Sequence, residues 1–106
     1  MSLEAAYRML GLARRAGQVS MGTQAADQAV KRGKAKLIWL SEDAGSSTEE
    51  KVRRLAERSG IPFIHQGSRS ELGRYCGKDE AVVLAITDVN LAAGILDKLG
   101  LQSNNE

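Results

Sequence analysis

Ala81-Val82-Val83-Leu84-Ala85-Ile86 is an uninterrupted apolar run, bounded by Lys78-Asp79-Glu80 before it and by Thr87-Asp88 after it. A run this short, with β-branched residues and polar flanks, reads as a strand buried on both faces. Leu37-Ile38-Trp39-Leu40 has the same character, following Lys36 and preceding a polar stretch at residues 41–47. Pro62-Phe63-Ile64-His65 predicts a third, shorter strand, and residues 18–21 a brief extended piece. Strands that are apolar on both faces must be covered on both, so the segments between them have to supply helices above and below.

Those segments comply. Ser2 can cap a first helix in which Leu3, Tyr7, Leu10 and Ala13 or Arg14 recur at three- and four-residue steps until Gly17. Residues 24–32 have helical composition, with Gly22-Thr23 before them and Gly33 after. Ser47 and Glu50 have capping-box spacing and predict a third helix through Val52, Leu55 and Ala56 to Gly60; Ser68 and Glu71 predict a fourth, ending at Gly77. Thr87 or Asp88 can cap a fifth, with Leu91, Ile95 and Leu99 facing inward. The order α-β-α-β-α-β-α-β-α predicts a three-layer α/β/α sandwich around a mostly buried, mixed four-stranded sheet.

The chain has 106 residues and is 42% hydrophobic, mainly Ala, Leu, Val and Ile, which suits one domain over residues 1–101 with a frayed polar tail at 102–106. The apolar start of the chain is broken by Glu4 and Arg8, so neither a signal-peptide core nor a membrane span is expected. A single cysteine, Cys76, excludes an internal disulfide and fits a reducing cytoplasm. The formal net charge of +2 does not by itself point to a nucleic acid. Its distribution is more telling, since Arg14, Arg15, Lys31, Arg32, Lys34 and Lys36 gather early and Glu42, Asp43, Glu49 and Glu50 follow.

Catalytic constellations are scarce. Cys-His chemistry would require Cys76, at a helix end, to converge on His65, on a strand; a rim histidine and a buried thiol are the simpler reading. Glu42-Asp43 after a strand is a place where a metal or phosphoryl group can sit, but the other early strands end without partner carboxylates. The glycine spacings match neither the dinucleotide fingerprint nor the Walker loop. No enzyme activity and no cofactor or metal are expected.

The junction Gly22-Thr23-Gln24 offers a different chemistry. Glycine permits close backbone approach, and the helix it precedes turns unpaired N–H groups outward, toward an anion such as phosphate. Gln24 and Gln28 share one helix face and carry amides able to read base edges, with Lys31 and Arg32 a turn later placed for a backbone. An ordinary solvated polar face is the alternative reading of the same residues.

The segment Gly22-Thr23-Gln24-Ala25-Ala26-Asp27-Gln28-Ala29-Val30-Lys31-Arg32-Gly33 resembles the signature helix of the kink-turn-binding ribosomal protein family. That family spans an archaeal large-subunit protein (seven-Ae), a eukaryotic one (thirty-e) and bacterial YlxQ-type members. Lys34-Ala35-Lys36-Leu37 with Ser41-Glu42-Asp43-Ala44, Gly60-Ile61-Pro62-Phe63, and Glu71-Leu72-Gly73-Arg74-Tyr75-Cys76-Gly77 extend the likeness, in order, over residues 10–98.

The resemblance implies a single RNA-binding domain that docks one edge on a kink-turn, where tandem sheared G·A pairs adjoin a sharp bend and a flipped-out nucleotide. The family's Asn-Glu-x-x-Lys falls on Gln24, Ala25 and Gln28, while Gly22 and Thr23 approach the RNA backbone. The loop before the last strand falls on residues 78–83, where Lys78, Val82 and Val83 would meet the extruded nucleotide; Arg69 matches a position that is basic in some relatives. Ala25 lacks the family's carboxylate, Gln28 its lysine charge, and Glu80 stands where some relatives have arginine. Since a bidentate base contact contributes about 1–3 kcal/mol of discrimination, these departures bear on affinity. The expected partner is a kink-turn or similar kinked RNA, ribosomal RNA and the ribosome included, bound by a cytoplasmic monomer with no membrane association. The alternative is a diverged ribosome-associated protein-interaction module that keeps the sandwich without kink-turn recognition.

Overall fold

The computed structural model of the protein describes residues 2–101; the polar tail expected at 102–106 lies outside them. The Ser2 side chain accepts from the Ala5 N–H at 3.1 Å and opens α1 (Leu3–Arg15). There follow β1 (Val19–Met21), α2 (Thr23–Lys31), β2 (Leu37–Leu40), α3 (Ser46–Ser59), β3 (Phe63–His65), α4 (Arg69–Cys76), β4 (Val83–Ile86) and α5 (Val89–Lys98), the predicted alternation.

The four strands form one mixed sheet in the order β1-β4-β2-β3. The last strand, β4, inserts at the centre, antiparallel to β1 on one side and to β2 on the other, and β3 runs parallel to β2 on the far edge. Every residue of β2 and β4 is buried. Their alternating side chains separate the two halves of the core. Leu37, Trp39, Leu84 and Ile86 face α1, α4 and α5, while Ile38, Leu40, Val83 and Ala85 face α2 and α3. Small residues on both sides of the second interface, Ala26 and Ala29 against Ala85, let α2 lie close on the sheet.

The local differences from the sequence reading have identifiable causes. The Ser47–Glu50 capping box does not form. Gly45, in extended conformation, is the N-cap of α3, the Glu49 N–H closes the first turn onto the Gly45 carbonyl, and Glu50 pairs with Arg54 at 2.6 Å. Ser68 does cap α4, accepting from the Glu71 N–H at 3.1 Å, but the Glu71 carboxylate accepts from the Tyr7 hydroxyl at 2.8 Å rather than closing the box. Asp88, not Thr87, caps α5, and Leu91 is only half-buried where Ala92 and Leu96 join Ile95 and Leu99 in the core. Ala81 and Val82 fall outside β4, because the Ala81 N–H donates to the Arg69 carbonyl at 2.9 Å instead of to a strand neighbour.

Candidate nucleic-acid interface

Gly22 sits at φ 102° and ψ 157°, a conformation that an L side chain rarely adopts, and its N–H donates to the Val83 carbonyl at 2.8 Å. The chain therefore leaves β1 by hooking onto β4 and enters α2 at once. The first intrahelical bond of α2 runs from the Ala26 N–H to the Gly22 carbonyl, and no side chain caps this end. The N–H groups of Thr23, Gln24 and Ala25 thus have no intrahelical carbonyl and carry the positive end of the helix dipole. Thr23, Gln24 and Gln28 are exposed, and Ala25 is half-buried.

Beside this helix end lies a cleft of about 350 Å³ between the β1–α2 turn and the segment before β4. Met21, Gly22 and Thr23 line one side; Lys78, Glu80, Ala81, Val82 and Val83 line the other. The two stretches singled out in the sequence, far apart along the chain, therefore converge on one apolar-walled hollow with a lysine at its rim. The far wall is held from behind. Ala81 is fixed to Arg69, the Val82 carbonyl accepts from the Ser41 N–H at 2.9 Å, and Gly73 lets α4 pass so close that a Cβ there would lie 2.7 Å from the backbone N of Glu80.

On the other flank of α2 is a second hollow, of about 560 Å³. Ala25, Gln28 and Arg32 of α2 line it with Lys34 and Lys36 from the turn into β2, and Gln18, Ser20 and Thr87 close it from the sheet edge. Among the described residues no acidic side chain lines it. Lys34 and Lys36 were visible in the sequence only as members of a basic cluster; what adds them to the site is the turn at Gly33, which folds the chain back along α2. Thr87 donates to the Gln18 side-chain oxygen at 2.8 Å, fixing the floor of this hollow. Of the other cations expected here, Lys31 pairs with Asp27 at 3.0 Å, so that part of its charge is compensated.

Arg69 takes a different place. Its backbone N–H and Nε lie 3.2 and 3.4 Å from Asp43 Oδ1, its Nη2 donates to the Asp43 carbonyl at 2.6 Å, and its Nη1 is 3.8 Å from Glu80. It joins the β2–α3 loop to the segment before β4, and it offsets the charge of Glu80 at the apolar cleft. The Ser41 hydroxyl, the Arg69 N–H and the Arg69 guanidinium hold the exposed Asp43 carboxyl below its ordinary range. A lowered carboxyl favours the folded state above the ordinary carboxylate pKa, and that contribution is lost as pH falls through the folded-state value. Replacing Arg69 by Met should therefore move the Asp43 titration upward, part of the way to the ordinary value, as read by carboxyl NMR; an unmoved titration would mean that the guanidinium does not act on this group.

Cys76 is fully buried under α1, and burial pushes its thiol up to about 11, so it is neither ionised nor accessible as a nucleophile. Among the described residues no cluster of three or more His, Cys, Asp or Glu is arranged to hold a metal. No described helix is long and apolar enough to cross a membrane.

The sequence profile of the ribosomal protein L7Ae/L30e/S12e/Gadd45 family matches residues 4–95. The chain belongs to this family. RNA-binding protein YlxQ of Bacillus subtilis (strain 168), a relative, is 37% identical over 93 residues, covering 88% of this chain and 93% of its own. Among solved structures, a Bacillus halodurans C protein of unknown function superimposes with a TM-score of 0.87 at 34% identity, over 90% of this chain and 96% of the other. A Giardia lamblia 15.5kD RNA binding protein superimposes with a TM-score of 0.78 at 25% identity, over 92% and 88%. The L7Ae-type fold is thus kept from bacteria to a eukaryote.

Proposed function

We propose that the chain is a non-catalytic RNA-binding protein whose single binding domain, residues 1–101, recognises a kink-turn or a similarly kinked internal loop. The observation that carries this reading is the convergence of two hollows on one helix: the apolar cleft at Gly22, Thr23, Lys78, Val82 and Val83, and the acid-free basic hollow at Ala25, Gln28, Arg32, Lys34 and Lys36. An unstacked base fits the first, since its faces are apolar and RNA recognition favours splayed-out nucleotides. A helical stem entering at the exposed end of α2 fits the second, with phosphates on the cations and the amides of Gln24 and Gln28 at base edges. Membership of a ribosomal protein family and the RNA-binding function of the Bacillus subtilis and Giardia relatives support RNA as the ligand class. Ribosomal RNA is the partner we favour, met by a cytoplasmic monomer on or near the ribosome.

Gel-shift titration of a consensus kink-turn RNA, against a control with its G·A pairs replaced, tests this reading. Selective binding is expected, and Gln24→Ala/Gln28→Ala should weaken it by roughly 10- to 100-fold, the loss of one bidentate base contact or slightly more. Equal affinity for both RNAs, unaffected by the double substitution, would instead favour the diverged interaction module that Ala25 and Glu80 suggest.

A further inference from the structure

A further concavity lies outside both hollows. It is a cleft of about 700 Å³ between α2 and α3, floored by Ala26, Ile38, Val52, Leu55 and Val83. Its volume falls within the roughly 300–1,000 Å³ of ligand clefts. One wall is the face of α3 that carries Lys51, Arg54 and Arg58, spaced three and four apart and therefore stacked along one side of the helix. The opposite wall is the first turns of α2, with Thr23, Gln24 and Asp27.

Charge and continuity decide what fits here. The cleft's carboxylates are already answered, Asp27 by Lys31 at 3.0 Å and Glu50 by Arg54 at 2.6 Å. Lys51 and Arg58 line the cleft, are exposed, and make no ion pair among the described residues. The cleft thus offers an apolar floor beneath two uncompensated cations about two helical turns apart. That pairing suits a nucleic-acid strand, with bases toward the floor and phosphates on the cations. Thr23 belongs to both this cleft and the apolar cleft beside Gly22, so a strand leaving one enters the other without a break.

We infer that the α2–α3 cleft receives a single-stranded extension of the bound RNA, whose phosphates are neutralised by Lys51 and Arg58. The inference rests on the reading of the α2 N-terminus as the RNA interface, and the test separates the two. The full chain is titrated at several salt concentrations with a minimal kinked RNA and with the same RNA carrying a short single-stranded extension on either strand. The expected result is tighter binding of one extended RNA, lost in Lys51→Gln/Arg58→Gln while the minimal RNA binds as before. Two single-strand phosphate contacts correspond to a salt slope steeper by about 1.4, or about 25-fold in affinity at 0.1 M salt relative to 1 M. Both side chains are exposed and make no ion pair among the described residues, so the variant should fold normally, which its thermal melt would verify. Equal binding of minimal and extended RNAs, or a gain that survives the double substitution, overturns the inference and leaves the cleft to a protein partner. Failure of every RNA to bind overturns the interface reading itself, and this inference with it.

Discussion

Replacing Arg32, Lys34 and Lys36 together by Gln is expected to weaken RNA binding about 500-fold at 0.1 M salt, and to flatten the salt dependence by about 2.7, while leaving the fold intact. The size follows from counterion release, in which each duplex phosphate neutralised adds roughly 0.9 to the slope of log affinity against log salt. All three residues are exposed, line one hollow, and have no acidic neighbour in it. Among the described residues their one side-chain hydrogen bond is a long one, from Lys36 Nζ to the Gly33 carbonyl at 3.5 Å, so stability should change by no more than a few tenths of a kcal/mol. Specificity distinguishes this effect from that of the glutamines. The triple change should weaken kink-turn and control RNAs alike, because phosphate contacts carry no sequence information, whereas Gln24→Ala/Gln28→Ala should erode the difference between them. Removing the same charge at Arg8, Arg53 and Lys98, on other surfaces, should cost far less. A comparable loss there would mean that net charge, not this hollow, attracts the RNA.

The contrast between these cations and Arg69 explains what could be read from the residue order. The buried strands were legible because Leu37–Leu40 and Val83–Ile86 are apolar at every position, and only a sheet covered on both sides accommodates that. The α2 segment was legible because the glycine, the exposed amides and the helix end are neighbours in sequence. What an arginine faces is not a local property. Arg69 looks like a free basic residue beside Ser68, yet Asp43, 26 positions away, and Glu80 occupy its guanidinium. Lys34 and Lys36 reach the hollow beside α2 because Ala29 accepts from the Lys34 N–H, wrapping the turn back under α2. The order β1-β4-β2-β3 is likewise set by long-range pairing, since β4 pairs with two strands that precede it by more than 40 residues. The false capping box at Ser47 shows the opposite limit, where a correct local pattern lost to a start two residues earlier that was fixed by Gly45.

Trp39→Ala should destabilise the protein by about 3–5 kcal/mol, the range for emptying a buried aromatic site. Trp39 is fully buried at the centre of β2 and stacks on Tyr7 with ring centroids 5.9 Å apart. Its indole Nε1 donates to the Gln66 carbonyl at 2.8 Å. The substitution therefore leaves both a cavity and an unanswered carbonyl. Trp39→Phe separates the two contributions: it keeps a ring against Tyr7, loses the donor and some volume, and should cost only about 1–3 kcal/mol. At roughly 4–8 °C per kcal/mol, the alanine variant should melt at least 12 °C below the parent, and calorimetry or circular dichroism would resolve the pair. The consequence reaches the cleft beside Gly22 through connected parts. Trp39 holds Tyr7, Tyr7 donates to Glu71 of α4, and α4 supports the segment before β4 through Arg69 and the close passage at Gly73. Below its own melting temperature the alanine variant should therefore lose affinity for the extruded nucleotide, while the salt slope set by Arg32, Lys34 and Lys36 persists. Loss of the slope along with the affinity would show that the two hollows depend on the same core contact.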